Sequence, residues 1–418
     1  MTNGVELDSI YAMATVKPFK ALRPKPELAE KIASVPYDVV NTEQARQLAE
    51  GNELSFLHII RPEIDLDPGV GLYQDEVYEQ ASLNFKRFKE RGYLIEENHP
   101  AFYVYRLKTA GQEQIGIAGC CAVDEYDDDT IKKHEFTRKA KEDDRVRHML
   151  SLRAHAGPVL LTYRRTERLS SLILNAIQGD PLYDFVDVDD VQHTIWTCDE
   201  VEAIEETFKE VPALYIADGH HRAAGASRVK GEMLKQNGNS DNSEEFNYYL
   251  NVIFPSDQLK IFPYNKYVTD LNGKTVEDFI EEVKKEFSIQ ITEQMQPQSK
   301  STFCMYLDGQ WYSLQEKTPS EPKDPVDALD LAKFQNKLLE PILGIVDQRK
   351  DNRIDFAGGA GSPATLKQWV DAKGGAAFTF FSVSVGELME VSDAGMVMPP
   401  KSTWFAPKLR SGLLIHQF

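Results

Sequence analysis

Leu214-Tyr-Ile-Ala-Asp218-Gly219-His220-His221-Arg222-Ala-Ala-Gly-Ala-Ser-Arg228 is the stretch on which the fold turns. Four apolar residues lead into Asp-Gly, and two histidines and an arginine then open an alanine-rich run of helical character. The pattern predicts a strand, a tight turn and a helix start. Asp218 is placed to cap that helix, because a carboxylate accepts from backbone N–H groups that lack an intrahelical partner. Gly219 permits a backbone conformation closed to bulkier residues. The first turn then combines amide donors, the positive end of the helix dipole and three side chains able to carry positive charge. Together these make a phosphate site.

Outward from there, the next informative stretch is the charged run from Lys132 to His148. Read as a helix, His134, Arg138, Lys141, Arg145 and His148 recur at intervals of three and four and share one face. Such a stripe repels itself unless an anion lies against it. The bland reading is a solvated face neutralised by Glu135, Glu142, Asp143 and Asp144. Two features favour a polyanion site: the run lacks an apolar stripe, and it concentrates positive charge in an acidic chain.

The 418 residues carry 47 basic and 66 acidic side chains, a net charge of −19, with 42% hydrophobic and 10% aromatic residues. That composition is ordinary for a globular protein. A surface so acidic argues against nucleic acid as a partner. Cys120, Cys121, Cys198 and Cys304 show no metal-ligand spacing, and the adjacent pair reads as strand core. No signal-peptide pattern opens the chain, and no apolar run approaches the roughly 18 to 20 residues that span a bilayer. The expectation is a cytoplasmic protein without a membrane partner.

Strands and helices intermix, so the expected fold is mixed α/β (α+β). Ala101–Leu107 with Gln114–Val123, Leu182–Val188 with Gln192–Thr197, and the strands flanking Asp308-Gly309 read as hairpins. Asn41 or Thr42 caps a short helix, Ser55–Ile60 is β-like, and Leu72–Arg91 is an amphipathic helix. Val326–Leu339 is helical, and a further helix begins with Ser362 as cap and Pro363 in its first turn. Asn237–Glu245 is a polar loop. Gly358-Gly-Ala-Gly361 lacks the spacing of a dinucleotide fingerprint, and no P-loop, GxSxG elbow, kinase signature or HExxH occurs. Asp38, His58, Arg61, His193, Trp196, Lys401 and Lys408 matter only if the fold gathers them around the opening stretch.

Six separated blocks carry a resemblance: KPFKALRP (17–24), SVPYDVVN (34–41), SFLHIIRPEID (55–65), IKKHEFTRKAKEDDR (131–145), LYIADGHHRAA (214–224) and MPPKSTWFAPKLRSGL (398–413). Together they resemble a group of bacterial and archaeal proteins catalogued as a domain of unknown function. The DGHHR element is similar to the phosphate-binding turn of the ParB/sulfiredoxin fold, on which free-serine kinases are built. The resemblance implies a ParB/sulfiredoxin-like catalytic portion over residues 14–270 and an additional α/β portion over 271–418 whose tail returns to the site. It further implies a Mg²⁺-assisted phosphotransferase that makes O-phospho-L-serine from L-serine, with pyrophosphate, ATP or ADP as donor. In that reading His220, His221 and Arg222 hold the donor phosphates, and His134, Arg138, Lys141 and Arg145 neutralise the rest. Asp218, Glu135 and His221 are the catalytic candidates, with Glu135 or Asp218 as base or Mg²⁺ ligand, and Lys401 or Lys408 closes over the site. Rival readings are a ParB-like nucleic-acid-binding regulator and a non-catalytic sensor of a phosphorylated metabolite. Oligomeric state is left open.

Overall fold

Two hairpins seed the main sheet. Phe102–Thr109 pairs with Gln112–Ala122, and Tyr183–Val186 pairs with Gln192–Cys198, each antiparallel across a short turn. The computed structural model describes residues 13–238, 241, 243–318 and 321–418. The N-terminal residues 1–12, and positions 239, 240 and 242 of the polar loop, lie outside them.

Chain contacts divide the molecule into two units. The first takes residues up to Lys132, Thr137–Gln258 and Pro407–Phe418, and the second takes Lys133–Phe136 and Leu259–Ala406. Residue 270 therefore lies inside the second unit.

In the first unit, nine strands among the described residues form a mixed sheet. Its order runs Ile131–Lys132, Leu214–Asp218, Val159–Tyr163, Tyr248–Pro255, Gln112–Ala122, Phe102–Thr109, Gln192–Cys198 and Tyr183–Val186, with Val16–Lys17 added beside Gln112–Ala122. Two pairings are parallel, Leu214–Asp218 with Ile131–Lys132 and Tyr248–Pro255 with Val159–Tyr163. The central strands read as continuous apolar runs because both faces are covered, and Cys120 and Cys121 are buried in one of them. A four-stranded sheet in the same unit is completed by the C-terminal strand Ile415–Gln417, between Ala21–Pro24 and Ala154–His155.

The helix Thr42–Ala49 starts at Asn41 with a capping box closed by Gln44. Asp75–Glu90 buries Val77, Ala81, Phe85 and Phe88, the expected face. Ser55–Ile60 is a correction: Leu57–Ile60 is a helical turn, entered because the Ser55 hydroxyl accepts from the Leu57 amide at 3.3 Å. The local hydrogen bond outweighs the β propensity of the two isoleucines.

The second unit is built on a six-stranded antiparallel sheet, in the order Phe287–Ile291, Gln310–Glu316, Thr302–Leu307, Ala376–Phe380, Tyr264–Val268 and Ile354–Gly358. Asp308 and Gly309 both have positive φ, 47° and 79°, the geometry of a two-residue hairpin turn. The helix expected over Val326–Leu339 starts only at Asp330 and widens to a π turn over Gln335–Leu339. The cap expected at Ser362 moves one residue, since Gly361 precedes the helix Ser362–Lys373. Among the described residues no helix is long and apolar enough to cross a membrane.

One buried carboxyl in the first unit has a measurable consequence. Glu125 accepts the Thr15 amide at 2.8 Å through one oxygen, while the other is buried without a partner. Burial raises its carboxyl to about 7, well above the unfolded value. A raised folded value means the folded state holds the proton more tightly, so stability present at low pH is lost as pH rises through about 7. Glu125→Gln keeps the acceptor and removes the charge. Urea unfolding should show the variant more stable than the parent by about 1–3 kcal/mol at pH 8 and equal to it near pH 4. Equal stability at both pH values would count against a desolvated carboxylate.

Candidate phosphate-binding site

The strand Leu214–Asp218 is buried up to its last residue, so its carboxyl end delivers Asp218 to the sheet edge half-exposed. The next residue, Gly219, is the N-cap of the helix His220–Asn237 and has φ +100°. Asp218 therefore lies one position too early to be the N-cap residue. A Cβ on Gly219 would also meet the Arg222 guanidinium at 2.9 Å. Arg222 thus folds back over the turn. It donates to the Pro158 carbonyl and lies 3.6 Å from the Asp218 carboxylate.

A second cation reaches the same oxygen from far along the chain. Lys408 Nζ donates to Asp218 Oδ2 at 3.4 Å across a separation of 190 residues. Asp218, Arg222 and Lys408 all belong to the first unit.

The charged run is not one helical face. The helix is Lys139–Leu152, Arg138 is its N-cap, and His134 lies upstream of it in the second unit. Val146, Met149 and Leu152 supply the apolar stripe that the sequence had not revealed, and Val146 and Met149 pack with Val229 and Met233 of His220–Asn237. Arg228 pairs with Glu142 and Asp143 across the two helices, at 3.3 and 2.6 Å. At their starts, His221 Nε2 accepts the Arg138 backbone amide at 3.1 Å. A nitrogen accepting from an N–H carries a lone pair, so the His221 ring is neutral with its proton on Nδ1. Its expected positive charge is corrected to a neutral donor. His220 is buried.

Of the helical cations, Lys141 is exposed, with its amine 6.0 Å from the Tyr73 ring. Arg145 is buried, stacked 3.7 Å from the Tyr37 ring centroid, with two hydrogen bonds to Asp144 Oδ2 at 3.0 and 2.7 Å. His148 is a second correction. Burial, helped by Arg145, lowers it to about 4, and its ring bonds to the Ile59 carbonyl at 2.9 Å, so it is uncharged at neutral pH.

Tyr37 links the two basic elements. Burial pushes its phenol up, Asp38 adds to that, and the charges of Arg145 and Arg222 both oppose it. A narrow cleft opens beside it, lined among others by Arg61, Glu63, Tyr78, Lys141, Asp144 and Arg145. Tyr37 and Tyr78 are not among the residues expected at the site, and Asp144 is expected only as a neutralising surface carboxylate. The Pro-Tyr-Asp turn is the available signal for Tyr37, whereas Asp38, the candidate in that turn, is exposed.

The remaining candidates divide by location. Arg61 props the Tyr37 turn, donating to the Tyr37 carbonyl at 3.0 Å and to Thr42 at 3.1 Å, with Glu63 at 2.8 Å. His58 is tied to Asp65 at 2.7 Å and to the Asn52 carbonyl, and the Asp65 hydrogen bond raises it. His193 is buried between Tyr105 and Asp187, and Trp196 donates to the Gly179 carbonyl. These three rings serve the packing of the first unit. In the second unit, the buried His134 ring bonds to Thr403 at 3.3 Å while its carbonyl accepts from Met398 at 2.8 Å, which joins two of the six sequence blocks. Glu135 and Lys401 are also in that unit, Lys401 with its amine 5.0 Å from the Tyr264 ring.

A family model described as "Protein of unknown function (DUF1015)" matches residues 16–332. No curated protein matches the chain. Among solved structures, a conserved hypothetical protein from Pyrococcus furiosus is 17% identical, covering 68% of this chain and 91% of that one with a TM-score of 0.34. A free serine kinase in complex with AMP is 14% identical over 68% and 89% of the two chains, with a TM-score of 0.34. C-terminally truncated SbnI from Staphylococcus aureus is 13% identical over 72% and 87%, with a TM-score of 0.35. Likeness at this level leaves function to be argued from the site.

Proposed function

The chain belongs to the DUF1015 family, and from that premise we propose that it is a phosphotransferase acting on the hydroxyl of free L-serine, with pyrophosphate or a nucleotide (ATP or ADP) as donor. The observation that carries this reading is the carboxylate of Asp218 set between two cations, Arg222 and Lys408, at a strand–turn–helix junction. Phosphoryl transfer asks little of a protein beyond positioning, neutralisation of phosphate charge and a carboxylate to orient the nucleophile.

In this reading Arg222 and Lys408 hold the donor, His221 contributes its Nδ1–H, and Arg138, Lys141 and Arg145 add positive charge along the adjoining helix. Asp218 accepts the serine hydroxyl proton as the oxygen attacks the terminal phosphorus. The bridging P–O bond breaks, and the leaving phosphate or nucleotide departs with the electron pair, its charge met by Arg222 and Lys408. His220 is proposed as part of the turn that shapes the site.

Magnesium fits the residues present only if it arrives with the donor. Mg²⁺ is commonly held by substrate phosphates and one or two carboxylates. Among the described residues no group of three His, Cys, Asp or Glu could hold an ion, while Asp218 offers one carboxylate at the turn. Asp218 would be the protein ligand, and the ion would neutralise phosphate charge when bound.

The test is direct. Purified protein is incubated with L-serine, Mg²⁺ and pyrophosphate, ADP or ATP in turn, and O-phospho-L-serine is measured by mass spectrometry. Product with at least one donor is expected, and no product with any of them would overturn the proposal. Thermal stabilisation by pyrophosphate without turnover would select the sensor reading instead.

A further inference from the structure

Lys266 is the least expected side chain of the second unit. It sits in the middle of the strand Tyr264–Val268, fully buried, between Ile354–Gly358 on one side and Ala376–Phe380 on the other. Its cross-strand neighbours are Phe356 and Phe378. The amine lies 4.9 Å from the Phe356 ring and 5.8 Å from the Phe380 ring. Among the described residues nothing accepts a hydrogen bond from it. An ammonium group has three donors, and leaving them unmade in a desolvated site is costly.

Among the described residues, the charge that acts on it makes matters worse. Lys401 is near enough for its charge to oppose protonation of Lys266, and burial works in the same direction, so the amine falls to about 7. Both neighbouring strands set phenylalanines beside it, Phe356 on one and Phe378 and Phe380 on the other. On the same face of the sheet, Tyr264 meets Trp404 edge to face at 5.3 Å and carries Lys401 over its ring. Trp404 lies flat on Gly358, where a Cβ would meet the indole at 2.3 Å, which explains the glycine in the Gly358–Gly361 run without a dinucleotide. The segment that supplies Lys401 and Trp404 thus lies over Tyr264, two residues before Lys266 on the same face of the strand, and Lys401 itself is partly exposed.

We propose that Lys266 and Lys401 form an anion site in the second unit, one that takes a small phosphate-class oxyanion beneath the segment 401–405. A dianion would supply the acceptors that Lys266 lacks and cancel the repulsion between the two lysines. Because the Lys266 amine is largely neutral at slightly alkaline pH, it would take up a proton as the anion arrives. A buried lysine retained only for packing would do neither. The proposal stands independently of serine phosphorylation, since it concerns binding without an acceptor.

The experiment is isothermal titration of the full chain with inorganic phosphate and with pyrophosphate at pH 8.5, without serine, in two buffers of different ionisation enthalpy. Uptake of about one proton per anion is expected for the wild type. Lys266→Met should fold, because it replaces an unpaired buried amine by an apolar chain of similar length. It should abolish the proton uptake and weaken binding about tenfold or more. Lys401→Met should weaken binding while keeping some uptake. Binding without proton uptake in the wild type, uptake unchanged in Lys266→Met, or no binding of either anion would each overturn the site. If Lys266→Met does not fold, the wild-type proton count and Lys401→Met decide. Asp218→Asn separates the two proposals: it should stop phosphoserine formation and leave the proton uptake intact.

Discussion

An Asp218→Asn variant should form phosphoserine at least about a hundredfold more slowly than the wild type while unfolding at nearly the same temperature. The rate effect follows from the role proposed for the carboxylate, because an amide at the same place cannot take the serine proton. The small stability effect follows from geometry. Asp218 is part-exposed and its ion pairs are long, 3.6 Å to Arg222 and 3.4 Å to Lys408, so their loss is worth no more than about 1 kcal/mol. A split between parameters gives the sharper check. Removing a negative charge beside the donor's phosphates should lower the donor KM while kcat falls. A variant that loses stability and raises KM, with kcat unchanged, would mark Asp218 as scaffolding. Lys408→Met makes the complementary case: donor KM should rise about tenfold, with the fold intact.

The other large effect concerns stability. Arg145→Met should cost about 3–5 kcal/mol, because it strands Asp144 as a buried carboxylate without its cation. Arg145 and Asp144 are only 7% and 8% exposed, so water offers little compensation. Among the described residues, the Tyr78 hydroxyl, which donates to Asp144 at 3.0 Å, is the side-chain hydrogen-bond partner that would remain. The sign with pH follows from the shift. Burial alone would raise the Asp144 carboxyl, and Arg145 outweighs it, so the group titrates below its ordinary range. A depressed carboxyl contributes stability that is present above its unfolded value and lost as pH falls through the folded one. In Arg145→Met the largest opposition to burial is gone, with only Tyr78 and His148 still favouring the charged carboxyl, and the penalty disappears when the carboxyl is protonated. Urea unfolding should therefore show a large gap between parent and variant at pH 7 that narrows towards pH 4. The double variant Arg145→Met/Asp144→Asn should recover most of the loss, and failure to recover it would mean that packing of Arg145 on Tyr37 dominates.

Local features of the candidate site were legible because they depend on neighbours in the chain. The apolar run ending at Asp218, the glycine that must take positive φ, and the helix behind it follow from alternation, turn chemistry and helical propensity alone. The same holds for the Asn41 cap and the Asp308-Gly309 hairpin. Misreadings arose where a side chain's state depends on what is packed against it. His148 sits on the charged run yet is neutral, because burial and Arg145 both oppose its proton. His134 shares the helical spacing of Arg138 and Lys141, but the helix begins only at Lys139. His221 is held in its neutral form by one backbone amide, at Arg138.

Sequence alone was enough to give the strand–turn–helix of DGHHR and the mixed α/β class, since backbone geometry and hydrophobic periodicity act over a few residues. Tertiary structure decided which charges meet. It brings Lys408 to Asp218 from 190 residues away, turns Arg145 inward onto Tyr37, and buries Lys266 among phenylalanines. The physical reason is that charge and protonation respond to desolvation and to partners in space, and neither is encoded at any single position in the chain.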